Sequence, residues 1–346
     1  MHIKNMMGAV SKSNQFNASI IVIAMDRKDF IMNAINSAIK SKMLTSNNVE
    51  IIVIKNFEDI DIDGKLTSLG VKNIYSKNIG LGHKIIEGLE FTNSEFILFL
   101  EDDDLFIDQK LNRFFEVLKL FPNISMYHNS YENINTYEKY IPLKKEVNPK
   151  GNILIRQHDI QTEKSVNLAI RTGAAHNLSS MAIRRDIIYP LSEILKQITF
   201  SLDHVIFLIA IDSGMPIFID DTVTTQIVIH KSTSNPPIDS NYMESKKRFL
   251  LRSKLELELC SHYLKTPLSK NTCLKMLMDI DIHLQILLLD VNRIDMHRIF
   301  IYLRHSIKGR SIVTIALVTL IPFLKYIKIF HIQPYLLFAK LRRVIT

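Results

Sequence analysis

Four acids stand in a row at Glu101-Asp102-Asp103-Asp104, directly after the apolar run Phe96-Ile97-Leu98-Phe99-Leu100. A short, wholly apolar segment predicts a buried parallel strand, and open α/β sheets bind ligands beyond the carboxyl ends of such strands. Adjacent carboxylates repel one another, so this group is suited to neutralisation by a hard divalent cation. Mg²⁺ or Mn²⁺ prefers oxygen ligands and often bridges to substrate phosphates. The other chemistry open to the run is a solvated acidic turn that caps the following helix.

The elements that must position these acids follow from periodicity. From residue 19 to about 128, β-rich apolar runs alternate with helical patterns, which is the βαβ signature. Strands are predicted near Ser19 to Ala24, Val49 to Ile54, Val71 to Tyr75, Glu95 to Leu100 and Ile124 to Tyr127. Helices are predicted near Asp29 to Lys42, Leu81 to Phe91 and Asp108 to Leu120, with Pro122 ending the last. Residues 129 to 165 are polar and turn-rich, as expected of a loop or small hairpin over the crevice. The pattern resumes with a strand at Ser179 to Ile183, helices near Asp186 to Lys196 and Leu202 to Ser213, and strands near Pro216 to Ile219 and Val223 to Ile229. Beyond the break at Asn235-Pro236-Pro237, helices are expected over Met243 to Tyr263, Leu268 to Leu289 and Asp295 to Ile307.

Composition narrows the classes. A chain of 346 residues, 47% hydrophobic and 23% charged, has enough apolar material for a large core. Cys260 and Cys273 offer neither zinc-knuckle spacing nor a disulfide framework, and the polar residues before Gln15 do not form a secretory signal. The net charge of +8 is carried by residues 301 to 346, which contain eight Lys and Arg and no acid. That tail also holds the uncharged run Ile312 to Leu324, so it suits an anionic membrane surface. It can lie in the membrane plane or re-enter, pack as a buried amphipathic helix, or form a spanning pair. No basic motif with stacking aromatics is present, which argues against nucleic acid as a partner.

The order of features over residues 18 to 235 resembles the family 2 glycosyltransferases of the GT-A fold. Ile21-Val22-Ile23-Ala24-Met25-Asp26-Arg27 is similar to that family's opening strand and donor-binding turn. Glu50 to Asn56 is similar to its second strand, with Lys55 and Asn56 where an aspartate usually contacts the nucleotide base. Asn78-Ile79-Gly80-Leu81-Gly82 and Gly88 are similar to its glycine-bearing turn and helix, with Lys84-Ile85-Ile86 in place of the usual Ala-Arg-Asn.

The resemblance implies that Ala24, Asp26, Arg27, Lys55, Asn56, Asn78, Gly80 and Asp102 contact the donor. It further implies that Asp103 and Asp104 hold Mg²⁺ or Mn²⁺, with Glu101 able to exchange roles with its neighbours. His230, in His230-Lys231-Ser232-Thr233, is placed to complete the metal's coordination. Inverting transfer needs a carboxylate on the face opposite the leaving group. Asp203, in Ser201-Leu202-Asp203-His204, matches the position of the family's base; Asp212 and Asp186 are secondary candidates, and Arg184 and Arg185 are secondary phosphate contacts.

The expected architecture is α/β: a GT-A-type, mostly parallel sheet flanked by helices, then a helical C-terminal extension with a membrane-associating tail. The divisions are an N-terminal tail at 1–17, the GT-A domain at 18–235, the extension at 236–308 and the basic apolar segment at 309–346. The expected activity is metal-dependent, inverting transfer of a sugar from a nucleotide-diphosphate sugar, of UDP or GDP type. Its acceptor is expected to be a lipid-linked, polysaccharide or protein glycan at the cytoplasmic membrane face. The competing expectation is a catalytically silent, membrane-bound binding or scaffolding module, prompted by the absence of an aspartate at Lys55 and Asn56.

Overall fold

The computed structural model describes residues 17–135, 142–145, 151–156, 162–229 and 242–288. The first half alternates strand and helix: β1 (Asn17–Ala24), α1 (Lys28–Met43), β2 (Asn48–Lys55), α2 (Ile60–Ser68), β3 (Lys72–Tyr75), α3 (Leu81–Glu90) and β4 (Phe96–Glu101). There follow β5 (Leu105–Phe106), α4 (Lys110–Leu120), β6 (Met126–Asn135), β7 (Pro142–Lys145), β8 (Ile153–Ile155), α5 (Thr162–Arg171) and β9 (Met181–Arg184). The remainder is α6 (Arg185–Ile188), α7 (Ser192–Leu195), α8 (Leu202–Asp212), β10 (Ile217–Ile229), α9 (Tyr242–Ser261) and α10 (Pro267–Leu288).

The described strands form one mixed sheet in the order β3-β2-β1-β4-β9-β6-β10-β5, with β7 on β6 and β8 on β10. β3, β2, β1 and β4 are mutually parallel, β9 runs against both β4 and β6, and β6 and β10 are parallel to each other. The chain order reverses direction across the sheet between β1 and β4, which places the crevice of such a sheet beyond their carboxyl ends.

Both faces of this sheet are covered, so β1 and β4 are apolar at nearly every position while successive residues face opposite layers. Ile21 and Ile23 of β1, with Ile97 and Phe99 of β4, face the layer of α3 and α8. Ile20 and Val22, with Leu98 and Leu100, face α1 and α4. α8 is buried at every position from Val205 to Ile211, because α9 and α10 pack over the side that the sheet leaves free. A helix apolar all round requires burial all round.

Several expectations were met with altered detail. The acid-rich segment at Asp59-Ile60-Asp61-Ile62-Asp63 opens an unforeseen helix, α2, whose N-cap Asp59 accepts the Ile62 N–H at 3.1 Å. Pro190 divides the helix expected over 186 to 196 into α6, a 3₁₀ turn at Tyr189–Leu191 and α7. The two strands expected over 216 to 229 are one, β10, kinked by register shifts between Asp220 and Thr225. Within 129 to 165, β6 runs on to Asn135 and forms a hairpin with β7, β8 pairs with β10, and Thr162 opens the unforeseen helix α5.

α9 and α10 confirm two of the three extension helices. The helix expected over Asp295 to Ile307, the tail at 309–346 and His230 lie outside the described residues. Among the described residues, no helix is long and apolar enough to cross a membrane.

Candidate functional site

Three loops meet beyond the carboxyl ends of the parallel strands. The turn after β1 carries Met25, Asp26 and Arg27; the end of β2 carries Lys55 and Asn56; the turn after β4 carries the four acids. Register aligns them, since Ile23 pairs with Glu101 and the Asp102 N–H donates to the Ile23 carbonyl at 3.2 Å.

Arg27 is the cationic centre of this group. Its guanidinium bonds both the Asp102 and Asp103 carboxylates, and the Met25 N–H donates to Asp102 Oδ2 at 2.8 Å. Asp102 is fully buried, whereas the Asp103 side chain stays 13% exposed. Burial pushes the Asp102 carboxyl up to about 6 against the pull of Arg27. Asp104 lies beneath the turn, where Ser179 and the Val228 N–H bond its carboxylate; burial and the Asp103 charge push it up to about 8. Burial also pushes Glu101 well above the carboxylate range, with Asp104, Asp103 and Asp203 adding to the effect. The two carboxylates that face Arg27, Asp102 and Asp103, are therefore the charged members of the turn near neutral pH.

Asp26 adopts a left-handed φ of +50°, which Asp tolerates at a turn. Its Oδ1 accepts from Asn56 Nδ2 at 3.1 Å, and Asn56 Oδ1 accepts from Lys84 Nζ at 3.0 Å. Lys84 also donates to the Ala24 carbonyl at 2.6 Å, so a fully buried ammonium from α3 ties the first two strand ends together. Burial lowers Lys84 to about 8 despite the nearby Asp102 and Asp26. Lys84 was not among the predicted site residues; the signal for it was the one Lys or Arg of α3, standing on a face with Ile85 and Gly88 that the helix buries.

Not every donor candidate joins this group. Lys55 is 1% exposed and turns toward α2, bonding Asp63 at 2.8 Å, so it holds α2 to the sheet. Asn78 Nδ2 donates to Glu87 at 2.8 Å. Asn78 and Gly80 line a separate shallow depression with His83, Lys196, Thr199 and Arg252, which contains none of the four acids.

Asp203 stands in the first turn of α8. Its carboxylate accepts the Asn177 N–H at 3.2 Å and the His204 N–H at 2.8 Å, and His204 Nδ1 lies 3.3 Å from Oδ1. Burial alone would raise Asp203, but the His204 and His176 imidazoles outweigh it and hold the carboxyl below its usual value. It stays ionised at neutral pH, as a proton acceptor must. Asp212 instead accepts from Lys265, Thr266 and Ser269 and so begins α10. Arg184 bonds Glu95 and the Ile124 carbonyl, and Arg185 bonds the Leu89 carbonyl, so both are engaged in the framework.

Glu256 of α9 was also not foreseen. It is 3% exposed and accepts from the N–H groups of Thr199 at 2.8 Å, Phe200 at 3.0 Å and Ser201 at 2.9 Å. A carboxylate there satisfies three consecutive backbone donors of the segment leading into α8, the last of them the N-cap Ser201, and places negative charge near the positive end of the helix dipole. A glutamate in a helical heptad carries no sequence mark of such a task.

Among the described residues no three carboxylates of the acidic turn have ligand atoms within 4.8 Å of one another, and Asp103 is the one of Asp102 and Asp103 that keeps some exposure. Mg²⁺ usually draws few ligands from protein, the rest being water and substrate phosphate.

Residues 19–187 match the family model described as Glycosyl transferase family 2. No curated protein sequence matches the chain. In structure it is similar to S. aureus TarS, with 13% identity and a TM-score of 0.51; the alignment covers 92% of this chain and 54% of TarS, so the chain spans about half the length of that protein. A fragment of TarS, residues 1-349 in complex with UDP-GlcNAc, aligns at 11% identity and a TM-score of 0.47, covering 77% of this chain and 81% of the fragment.

Proposed function

We propose, from the match of residues 19–187 to the Glycosyl transferase family 2 model, that the chain is a metal-dependent inverting glycosyltransferase that uses a nucleotide-diphosphate sugar. The observation that carries this reading is the placement of Asp102, Asp103 and Arg27 at the β1/β4 crevice, with the ionised Asp203 close enough to raise Glu101.

Asp26 and Asn56 supply hydrogen-bonding groups for the nucleoside, and Asp102 faces the ribose. Arg27 presents positive charge to the diphosphate. When bound by Asp103, with His230 as a further ligand, Mg²⁺ or Mn²⁺ supplies Lewis-acid stabilisation of the charge on the departing nucleoside diphosphate. Asp203 accepts the proton of the acceptor hydroxyl as that oxygen bonds the anomeric carbon. The carbon's bond to the diphosphate oxygen breaks on the opposite face, which inverts the anomeric configuration.

The basic, apolar segment 309–346 supports attachment to an anionic membrane at the cytoplasmic face, where the acceptor would be lipid-linked, polysaccharide or protein glycan. A second reading, a silent binding module, draws on one observation: Arg27 already bonds two carboxylates that a metal would use.

A thermal-shift panel of UDP, GDP, dTDP and CDP, each with and without Mn²⁺ or Mg²⁺, separates the two. Saturation at a hundredfold above Kd stabilises the native state by about 2.7 kcal/mol. A metal-dependent shift with one nucleotide, absent in Asp103→Asn, is expected. No shift with any nucleotide would favour the silent module.

A further inference from the structure

Ligand atoms also converge away from the acidic turn. His176, Asp203 and His204 each direct one metal-binding atom to a common region, and these atoms lie within 4.8 Å of one another. His204 Nδ1 and Asp203 Oδ1 are 3.3 Å apart, yet no hydrogen bond reaches that nitrogen. Two ligands about 2.0–2.1 Å from a tetrahedral Zn²⁺ stand roughly 3.3 Å from each other, so this pair already has the spacing a zinc ion needs.

His176 approaches from the segment between α5 and β9, with its ring edge-on to His204 at a centroid separation of 4.6 Å and an interplanar angle of 85°. The next residue, Asn177, has a left-handed φ of +64° and donates its N–H to Asp203 Oδ2, which ties the His176 segment to the start of α8. His176 is exposed and the other two are partly so, leaving an entry path for an ion. The donor set of two imidazoles and one carboxylate suits borderline ions such as Zn²⁺ and Co²⁺, not Mg²⁺, and three protein ligands leave the fourth position open.

We propose that His176, Asp203 and His204 form a second cation site, specific for zinc-class divalent ions and separate from the acidic turn. An ion there takes the Asp203 carboxylate as a ligand and withdraws it from proton abstraction, so zinc inhibits transfer. The inhibition rests on the glycosyltransferase reading; the binding does not.

Isothermal titration of the full chain with zinc chloride tests the site, on wild type, His176→Ala and Asp103→Asn, with circular dichroism confirming the fold of each. One zinc per chain is expected, weakened at least tenfold in His176→Ala, unchanged in Asp103→Asn and undisturbed by millimolar Mg²⁺. Co²⁺ should give the visible absorption of a tetrahedral site in wild type and not in His176→Ala. Wild-type zinc affinity in His176→Ala, or its loss in Asp103→Asn, would overturn the site. In a transfer assay, zinc should inhibit wild type at concentrations that leave His176→Ala at its own zinc-free rate; equal inhibition of both would overturn the competition with the base. Absence of any transfer activity would leave the binding result standing.

Discussion

Asp203 is half-buried and Lys84 fully buried, and their surroundings move them in opposite functional directions. Asp203 is kept charged by two imidazoles, so Asp203→Asn should leave nucleotide binding nearly intact and lower transfer by about 10²–10⁴-fold. Equal loss of binding and transfer would show that it only holds the start of α8. Lys84 is lowered from 10.5 to about 8, so between those pH values the unfolded chain holds more protons than the folded one. Folding stability should therefore rise with pH across that window, by at most roughly 3 kcal/mol relative to Lys84→Met. Urea denaturation of both proteins at pH 7.5 and 10.5 measures the difference, and parallel profiles would refute a destabilised ammonium. The acidic run was legible because four adjacent acids after an apolar strand are rare in type and position. The pairing of Arg27 with two of them, and the diversion of Lys55 to Asp63, depend on where β2, α1 and α2 put their ends.

At the scale of elements, contact distance decides what can vary. Gly82 in the first turn of α3 lies against the end of α7 and the residues after it, and a Cβ there would sit 1.7 Å from the Leu195 carbonyl oxygen. Backbone cannot yield as a side chain can, so Gly82→Ala should destabilise the protein by about 3 kcal/mol or more. A loss below ~1 kcal/mol in urea denaturation would contradict that packing. Gly88 meets only the Ile21 side chain, at 2.9 Å, which has room to adjust. The strands β1, β2 and β4 were readable almost to the residue, because burial on both faces leaves an unbroken apolar run. α2 was not, since two acids and a glycine in nine residues conceal a helix whose start depends on the Asp59 cap. The separate pieces of α6 and α7 follow from Pro190, which was visible, but the continuity of β10 through Asp220 to Thr225 was not. Its kink is held by the Arg113 and Tyr127 contacts to Asp220, at 2.7 and 3.0 Å, and these come from distant parts of the chain.

At the scale of the molecule, α8 is the link between the sheet and the extension. It carries Asp203 at one end, lies on the sheet, and is covered by α9 and α10, with Glu256 reaching over to its N-terminus. The extension is thus part of the scaffold of the candidate base. The charged tail is a different matter: truncation after Arg310 should release the protein from vesicles containing anionic lipid while nucleotide-dependent thermal shifts persist. Unchanged partitioning in a flotation assay would remove the tail from the membrane reading. By itself the sequence determined the α/β class, the parallel run of strands, the acidic turn at a strand end and the family resemblance, because each rests on local periodicity or on residues adjacent in the chain. Only the tertiary structure decided that Lys84 and Glu256 support the site, that Lys55 and Asp212 do not face it, and that His176 meets Asp203 and His204. Those facts depend on which side chains the packing of separate elements brings within hydrogen-bonding distance, and no local pattern encodes that.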